Sequence, residues 1–160
     1  MSPEKLGQHF LTDAGWQNRI AGAIGMNDSV WVEIGAGHGE LTLRLAQHAS
    51  KVIAIELDPR LARRLREVTA HMKNVEVVES DVLAVDFEKI TRGANFSVYG
   101  SLPYYITSPI LHRLFEYAER IHVIHIVCAC PACAGSPVPR LPSAVGETLR
   151  EGCGRQVRVG

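Results

Sequence analysis

Between Val30 and Leu43 an apolar run, Val30-Trp31-Val32-Glu33-Ile34, gives way to three glycines at alternate positions, Gly35, Gly37 and Gly39, and then to Glu40-Leu41-Thr42-Leu43. Such a stretch reads as a buried strand, a tight loop and the start of a helix. Glycine is needed where the backbone must take φ > 0 or come against a ligand with no Cβ in between, and a ligand cradle at a strand-to-helix turn demands both. Lys51-Val52-Ile53-Ala54-Ile55-Glu56 follows as a second buried strand ending on an acid. Strand, helix, strand makes a parallel βαβ unit, so the chain is an α/β protein. Glu56 stands 21 residues after Gly35, the separation at which such a fold places a carboxylate to accept hydrogen bonds from a ribose.

The rest of the chain extends this unit. Asp13 caps a helix through about Ile24, with Trp16, Ile20, Ala23 and Ile24 on one face and Gly25 as its stop. Pro59 opens a helix whose Leu61, Leu65 and Val68 face inward, while Arg60, Arg63, Arg64 and Arg66 form a solvated face. Asn74–Val78 is a third strand, closed by Glu79-Ser80-Asp81, and Asp86–Ile90 a short helical connection. Phe96–Tyr99 is a fourth strand ending on Gly100-Ser101-Leu102-Pro103-Tyr104-Tyr105, after which Ser108-Pro109 caps a helix with Ile110, Leu111, Leu114, Phe115 and Ala118 in one stripe. Ile121–Val127 is a fifth strand. The expected architecture is a Rossmann-like, doubly wound, mainly parallel sheet with Gly35, Glu56, Asp81 and Ser101 at the carboxyl ends of adjacent strands.

At 160 residues the chain makes one domain with a real core. Seventeen basic side chains balance seventeen acidic ones, so the long-range field offers no general attraction for nucleic acid, and any such role must come from a local site. No apolar run is long enough for a membrane span, and Met1–Lys5 lacks the blocks of a signal peptide, which predicts a cytoplasmic protein. All four cysteines, Cys128, Cys130, Cys133 and Cys153, lie in the last 33 residues. Their spacing is not the usual pair of zinc knuckles, and His122 and His125 fall on opposite faces of a strand, so no metal site is expected. Residues 1–127 read as the folded domain. Residues 128–160 read as an unmatched tail, disordered or frame-shifted, that leaves Ile121–Val127 as an uncovered edge.

The loop is G-x-G-x-G, one residue shorter than the nicotinamide fingerprint, with Glu33 just ahead of it. A pyrophosphate prefers a helix N-terminus without a nearby acid. S-adenosylmethionine carries an ammonium and a sulfonium instead, and the acid beside the loop favours it, as does Asp81, which can accept from an adenine amino group. Pro103 and the residues before it present carbonyl and side-chain acceptors with an aromatic ring next to them, which suits a planar base bearing an amino group.

Gly7-Gln8-His9-Phe10-Leu11, Val32–Thr42, Ile55-Glu56-Leu57-Asp58, Ser80-Asp81-Val82-Leu83 and Gly100–Pro109 together resemble the ribosomal RNA adenine dimethyltransferases, over residues 5 to 127. The nearest branch is the bacterial enzyme that dimethylates adjacent adenines near the 3′ end of small-subunit rRNA; the macrolide-resistance methylases are its cousins. The resemblance implies that His9 and Leu11 lie against the cofactor and that Gly35, with Gly37, belongs to the methionine-side loop. It implies that Glu56 takes the ribose hydroxyls, that Asp81 takes the adenine, and that Tyr104 stacks on the flipped target base. The family has asparagine where this chain has Ser101, in a motif whose asparagine oxygen and proline carbonyl, here Pro103, accept the target amino protons. It also continues into a helical, RNA-contacting domain that residues 128–160 do not resemble. The function so implied is methyl transfer from S-adenosylmethionine to adenine N6 in small-subunit (16S) rRNA by a cytoplasmic, monomeric protein with no membrane partner. The alternatives are a truncated or impaired cofactor-binding module and, from another class, a nicotinamide oxidoreductase.

Overall fold

The computed structural model describes residues 29–129, 145–149 and 155–159. His9, Leu11 and the helix expected from Asp13 lie outside the described residues. The described elements run β1 (Val30–Ile34), α1 (Glu40–Leu45), β2 (Lys51–Glu56), α2 (Pro59–Thr69), β3 (Val75–Glu79), a 3₁₀ turn (Val82–Ala84), α3 (Phe87–Thr91), β4 (Phe96–Pro103), α4 (Tyr104–Phe115), a second 3₁₀ turn (Ala118–Arg120), β5 (Ile121–Ala129), β6 (Val145–Leu149) and β7 (Arg155–Val159). The strands form one sheet in the order β3-β2-β1-β4-β5-β7-β6. β1 is parallel to both β2 and β4, and because β2 leads away to one side and β4 to the other, their junction is the topological switch point.

Alternation along the strands gives the sheet two apolar faces. Val32, Ile34, Ile53, Ile55, Val98 and Ile124 face Phe87 of α3 and Ile110 and Leu114 of α4. Trp31, Val52 and Tyr99 face Leu41 and Leu45 of α1, and Ala54 meets Leu65 of α2. Helices on both faces explain why these strands read as continuous apolar runs. α2 starts where Pro59 predicts, with the Asp58 side chain accepting from the Arg60 N–H at 2.8 Å. Its arginines are exposed and paired: Arg60 with Asp58, Arg63 and Arg64 with Glu67, and Arg66 with Glu79.

Three expectations are corrected. β4 does not stop at Tyr99; it continues to Pro103 because β5 runs alongside it, pairing Val127 with Ser101 and Ala129 with Pro103. α4 begins at Tyr104, not after Ser108, so Pro109 lies inside the helix, where it has no N–H to offer the Tyr105 carbonyl. Finally, β5 is not an uncovered edge. β7 pairs antiparallel with it along Ile124–Ile126, and β6 pairs with β7. Within residues 128–160, Cys128 and Ala129 of β5 and all of β6 and β7 are therefore strand; Val157 and Val159 alternate with Gln156 and Arg158, a period-two signal too short to stand out in the sequence. A register shift between Phe96/Ile121 and Val98/Ile124 lets Ile121 and Ile124 reach the same core cluster. No helix among the described residues is long and apolar enough to cross a membrane.

Candidate functional site

Beyond Ile34 the backbone makes two more contacts with β2, the Gly35 and Ala36 N–H groups both donating to the Ile55 carbonyl at 2.9 and 3.3 Å, and then turns. Gly35, Gly37 and Gly39 hold φ of 73°, 57° and 86°, the left-handed region that the alternating glycines predict. A Cβ on Gly39 would stand 2.4 Å from Leu65 Cδ1, so α1 and α2 approach through that glycine; one on Gly35 would meet the Ser101 carbonyl at 3.7 Å, so the loop lies directly against β4.

Glu56 fixes the loop from below. It is 3% exposed; its Oε2 accepts from the Gly37 N–H at 2.8 Å and its Oε1 from the Asp58 N–H at 2.9 Å. Each oxygen keeps a second lone pair, so the carboxylate still has acceptor capacity for a diol. Next along the edge, the Ser80 N–H donates to the Glu56 carbonyl at 3.1 Å, which places Asp81 beside the end of β2. Asp81 is exposed and caps the turn that follows it, its Oδ1 accepting from the Leu83 N–H at 2.9 Å. On the other side of the loop Ser101 is half-buried, Leu102 is buried in the core, and Pro103 serves as N-cap residue of α4, its carbonyl accepting from Thr107 Oγ1 at 3.0 Å. Tyr104 opens that helix. Gly35, Gly37, Glu56, Asp81, Ser101, Pro103 and Tyr104 thus share the carboxyl edge of the sheet, whereas His9 and Leu11 fall outside the described residues.

Two features of the site are not conveyed by spacing alone. Glu33 does not stand as an open charge at the mouth of the loop. It is 3% exposed and accepts a hydrogen bond from Thr42 Oγ1. Burial pushes its carboxyl up to about 8, the Thr42 bond opposing and the Glu56 charge adding to the shift. Tyr99, opposite Glu33 across β1 and β4, is raised by its burial and by Glu33. Thr42, nine residues on and in the first turn of α1, is the sequence trace of this pairing. The second feature is an apolar rim. Leu57, Leu83 and Tyr105 are exposed large apolar side chains, and they follow β2, β3 and β4 at the same edge.

The donor set decides which ligand this edge can hold. Ionised carboxylates such as Glu56 and Asp81 accept and cannot donate, and no lysine or arginine lies between Glu33 and Glu40. Hydroxyls, an amino group and positive charge fit such a set; a pyrophosphate does not. The glycines remove the side chains that would block close approach, so the residues present fit an adenosine carrying a cationic tail.

Comparison with known proteins gives a consistent result. The family model described as "Ribosomal RNA adenine dimethylase" matches residues 2–133. A "Ribosomal RNA small subunit methyltransferase A" of Shewanella sediminis is 40% identical over 126 residues, covering 78% of this chain and 47% of that protein. Among solved structures, the 23S rRNA methyltransferase ErmE matches with a TM-score of 0.68 at 36% identity, covering 75% of this chain and 48% of that one. A dimethyladenosine transferase from Plasmodium falciparum gives a TM-score of 0.66 at 27% identity, covering 75% and 43%. The chain spans about half the length of the relatives it matches.

Proposed function

Because the chain belongs to the ribosomal RNA adenine dimethylase family, we propose that it is the catalytic-domain part of an rRNA methyltransferase that moves methyl groups from S-adenosylmethionine to N6 of adenines in small-subunit rRNA. The observation that carries this reading is the loop held by Glu56 against the Ser101 carbonyl, which sets the cofactor side and the acceptor side of the reaction against each other at the switch point. S-adenosylmethionine, when bound, supplies an electrophilic methyl group on sulfur.

The chain's own residues do the rest. Glu56 accepts from the ribose hydroxyls, Asp81 from the adenine amino group, and Gly35 and Gly37 let the methionine end lie on bare backbone. By the family resemblance, His9 and Leu11 are further candidate contacts to the cofactor. The amino nitrogen of an adenine is a poor nucleophile because its lone pair is delocalised into the ring. Acceptors on its N–H groups help localise that pair, and Ser101 Oγ and the Pro103 carbonyl are the candidates, with Tyr104 stacking on the extruded base. Catalysis here is positioning and electrostatics. In keeping with this role the protein acts as a cytoplasmic monomer on the small ribosomal subunit or its RNA.

Two points favour a second reading, a cofactor-binding module with little turnover: Ser101 stands where the resemblance implies asparagine, and the chain spans about half of its relatives. In that reading residues 128–160 are the product of a shifted frame, and translating the nucleotide sequence around codon 127 in the other two frames would reveal the family-like continuation. Calorimetry separates both readings from a nicotinamide enzyme, since S-adenosylmethionine binds and NAD does not. Single-turnover methylation of small-subunit RNA separates the two from each other; methyl incorporation at adenine N6 supports the enzyme, and its absence with intact cofactor binding supports the module.

A further inference from the structure

Two buried carboxylates flank the glycine loop, and neither has a cationic partner among the described residues. Glu56 grips Gly37 and Asp58 through their backbone N–H groups, and Glu33 grips Thr42 on α1. The groups around Glu33 offer no compensating positive charge: Thr42 from α1 is neutral, Tyr99 from β4 is a neutral phenol, and Glu56 from β2 is a like charge. His125, buried on β5 beyond Tyr99, stacks toward Trp31 at 5.9 Å between ring centroids. Burial with no cation beside it favours the protonated form of Glu33, and the Glu56 charge adds to that.

We propose that Glu33 is a positioning residue that exchanges its proton for the positive charge of the incoming cofactor, so that seating a cationic ligand on the Gly35–Gly39 loop releases a proton from Glu33. The inference rests on the cofactor assignment above. No bond to the ligand is required: the cation lowers the cost of a second charge beside Glu56, Glu33 ionises, and its bond from Thr42 becomes charge-assisted and shorter. That bond ties β1 to the first turn of α1, so ionisation tightens the loop between them when the ligand is present. The released proton goes to solvent, and the pair then carries two negative charges against the ligand's positive one.

The test is calorimetry of S-adenosylmethionine binding to the full chain in two buffers of different ionisation enthalpy, with Glu33→Gln alongside. The ligand's own ammonium titration is common to both proteins, so the difference between them isolates Glu33. Wild type should release about one proton more than the variant at pH 7, and its affinity should rise by up to about tenfold per pH unit relative to the variant until the midpoint is passed. S-adenosylhomocysteine, which keeps the ammonium but lacks the sulfonium, identifies the charge that is sensed. Release with both ligands assigns it to the ammonium, release with S-adenosylmethionine alone assigns it to the sulfonium, and either supports the proposal. Equal proton counts in wild type and variant overturn it while leaving the cofactor assignment intact; no binding of either ligand to wild type overturns the assignment and the proposal together. Should the variant not fold, ¹³C NMR of the Glu33 carboxyl in wild type decides: a titration midpoint that moves below 7 on adding ligand supports the exchange, and an unmoved midpoint ends it.

Discussion

The half of the molecule built from β1 to β3 differs in kind from the half built from β4, α4 and β5. In the first, the polar groups of the edge are already tied to each other: Glu56 to two backbone N–H groups, Glu33 to Thr42, and Asp58 to the start of α2. In the second, α4 opens on Pro103 with no side-chain cap, carries Pro109 within it, and follows Ser101, where the family resemblance implies asparagine. The difference teaches where preorganisation has been concentrated. A cofactor that must be held in one pose meets a fixed loop, while the junction proposed to receive the base depends on a few acceptors whose reach matters individually.

Exchanging Ser101 for the asparagine that the family resemblance implies tests this contrast most severely. On the proposed function, the Ser101 hydroxyl, shorter than an asparagine amide, weakens one transition-state acceptor; by analogy with loss of a single oxyanion donor the expected deficit in kcat is about 10² to 10³, or up to about 4 kcal/mol. Ser101→Asn, in a chimera that supplies a family-like C-terminal half, should recover that factor in single-turnover rate with cofactor affinity nearly unchanged. No gain in rate would show that serine is a competent acceptor and that the two halves are equally well prepared.

On the cofactor side the next largest effect is a stability change with a defined pH window. The Glu33 carboxyl titrates near 8 in the folded chain against 4.5 as the ordinary value, so between those pH values the unfolded state binds fewer protons than the native state. Stability is therefore full below about 4.5, falls as pH rises toward 8, and levels off above it. Glu33→Gln keeps an acceptor for Thr42 and removes the titration, so it should be more stable than wild type by about 3 kcal/mol at pH 7 and equal to it near pH 4. Denaturant unfolding at both pH values reads this directly, and parallel curves for the two proteins would show that Glu33 ionises freely. Somewhat smaller is the effect of Gly39→Ala. Its φ of 86° and the Leu65 methyl 2.4 Å from the added Cβ both oppose the methyl group, for a loss of about 2 kcal/mol. A thermal midpoint within a degree of wild type would mean that α1 and α2 are not held as closely as described.

How much of this was legible in sequence follows the same division. Gly35, Gly37, Gly39, Glu56 and Pro59 announce themselves because each meets a backbone or spacing requirement that few other residues meet, and the structure places all five where those requirements put them. The start of α4 was not legible. Ser108-Pro109 is a strong helix-start signal, but the helix already under way from Tyr104 tolerates a proline whose missing bond is one among twelve residues. The length of β4 and the cover on β5 were hidden for a related reason. Both are set by partners distant in sequence, β5 and β7, and β pairing leaves little trace in the residues of either strand alone. The state of Glu33 was hidden as well, since a charge written in the sequence carries no mark of its burial.

The smallest expected effect probes whether the contrast extends to RNA. If the β1-to-β3 half serves the cofactor alone, the arginines of α2 are a solvated face, and removing them should cost little. Arg63 and Arg64 both lean on Glu67, with charged atoms 3.5 and 3.6 Å apart and side chains more than half exposed. Pairs of that kind contribute at most about 1 kcal/mol, and the shared Glu67 carboxylate offsets half of their positive charge. Arg63→Ala with Arg64→Ala should therefore leave stability within about 1 kcal/mol and small-subunit RNA affinity within about twofold, and should leave the salt dependence of binding unaltered. The salt slope is the sharper reading, because taking one cation away from an RNA phosphate lowers it by about one. A slope reduced by about two would mean that α2 tracks the RNA backbone while β4 and α4 receive the base, and the division drawn between the halves would have to be redrawn along the RNA rather than along the sheet.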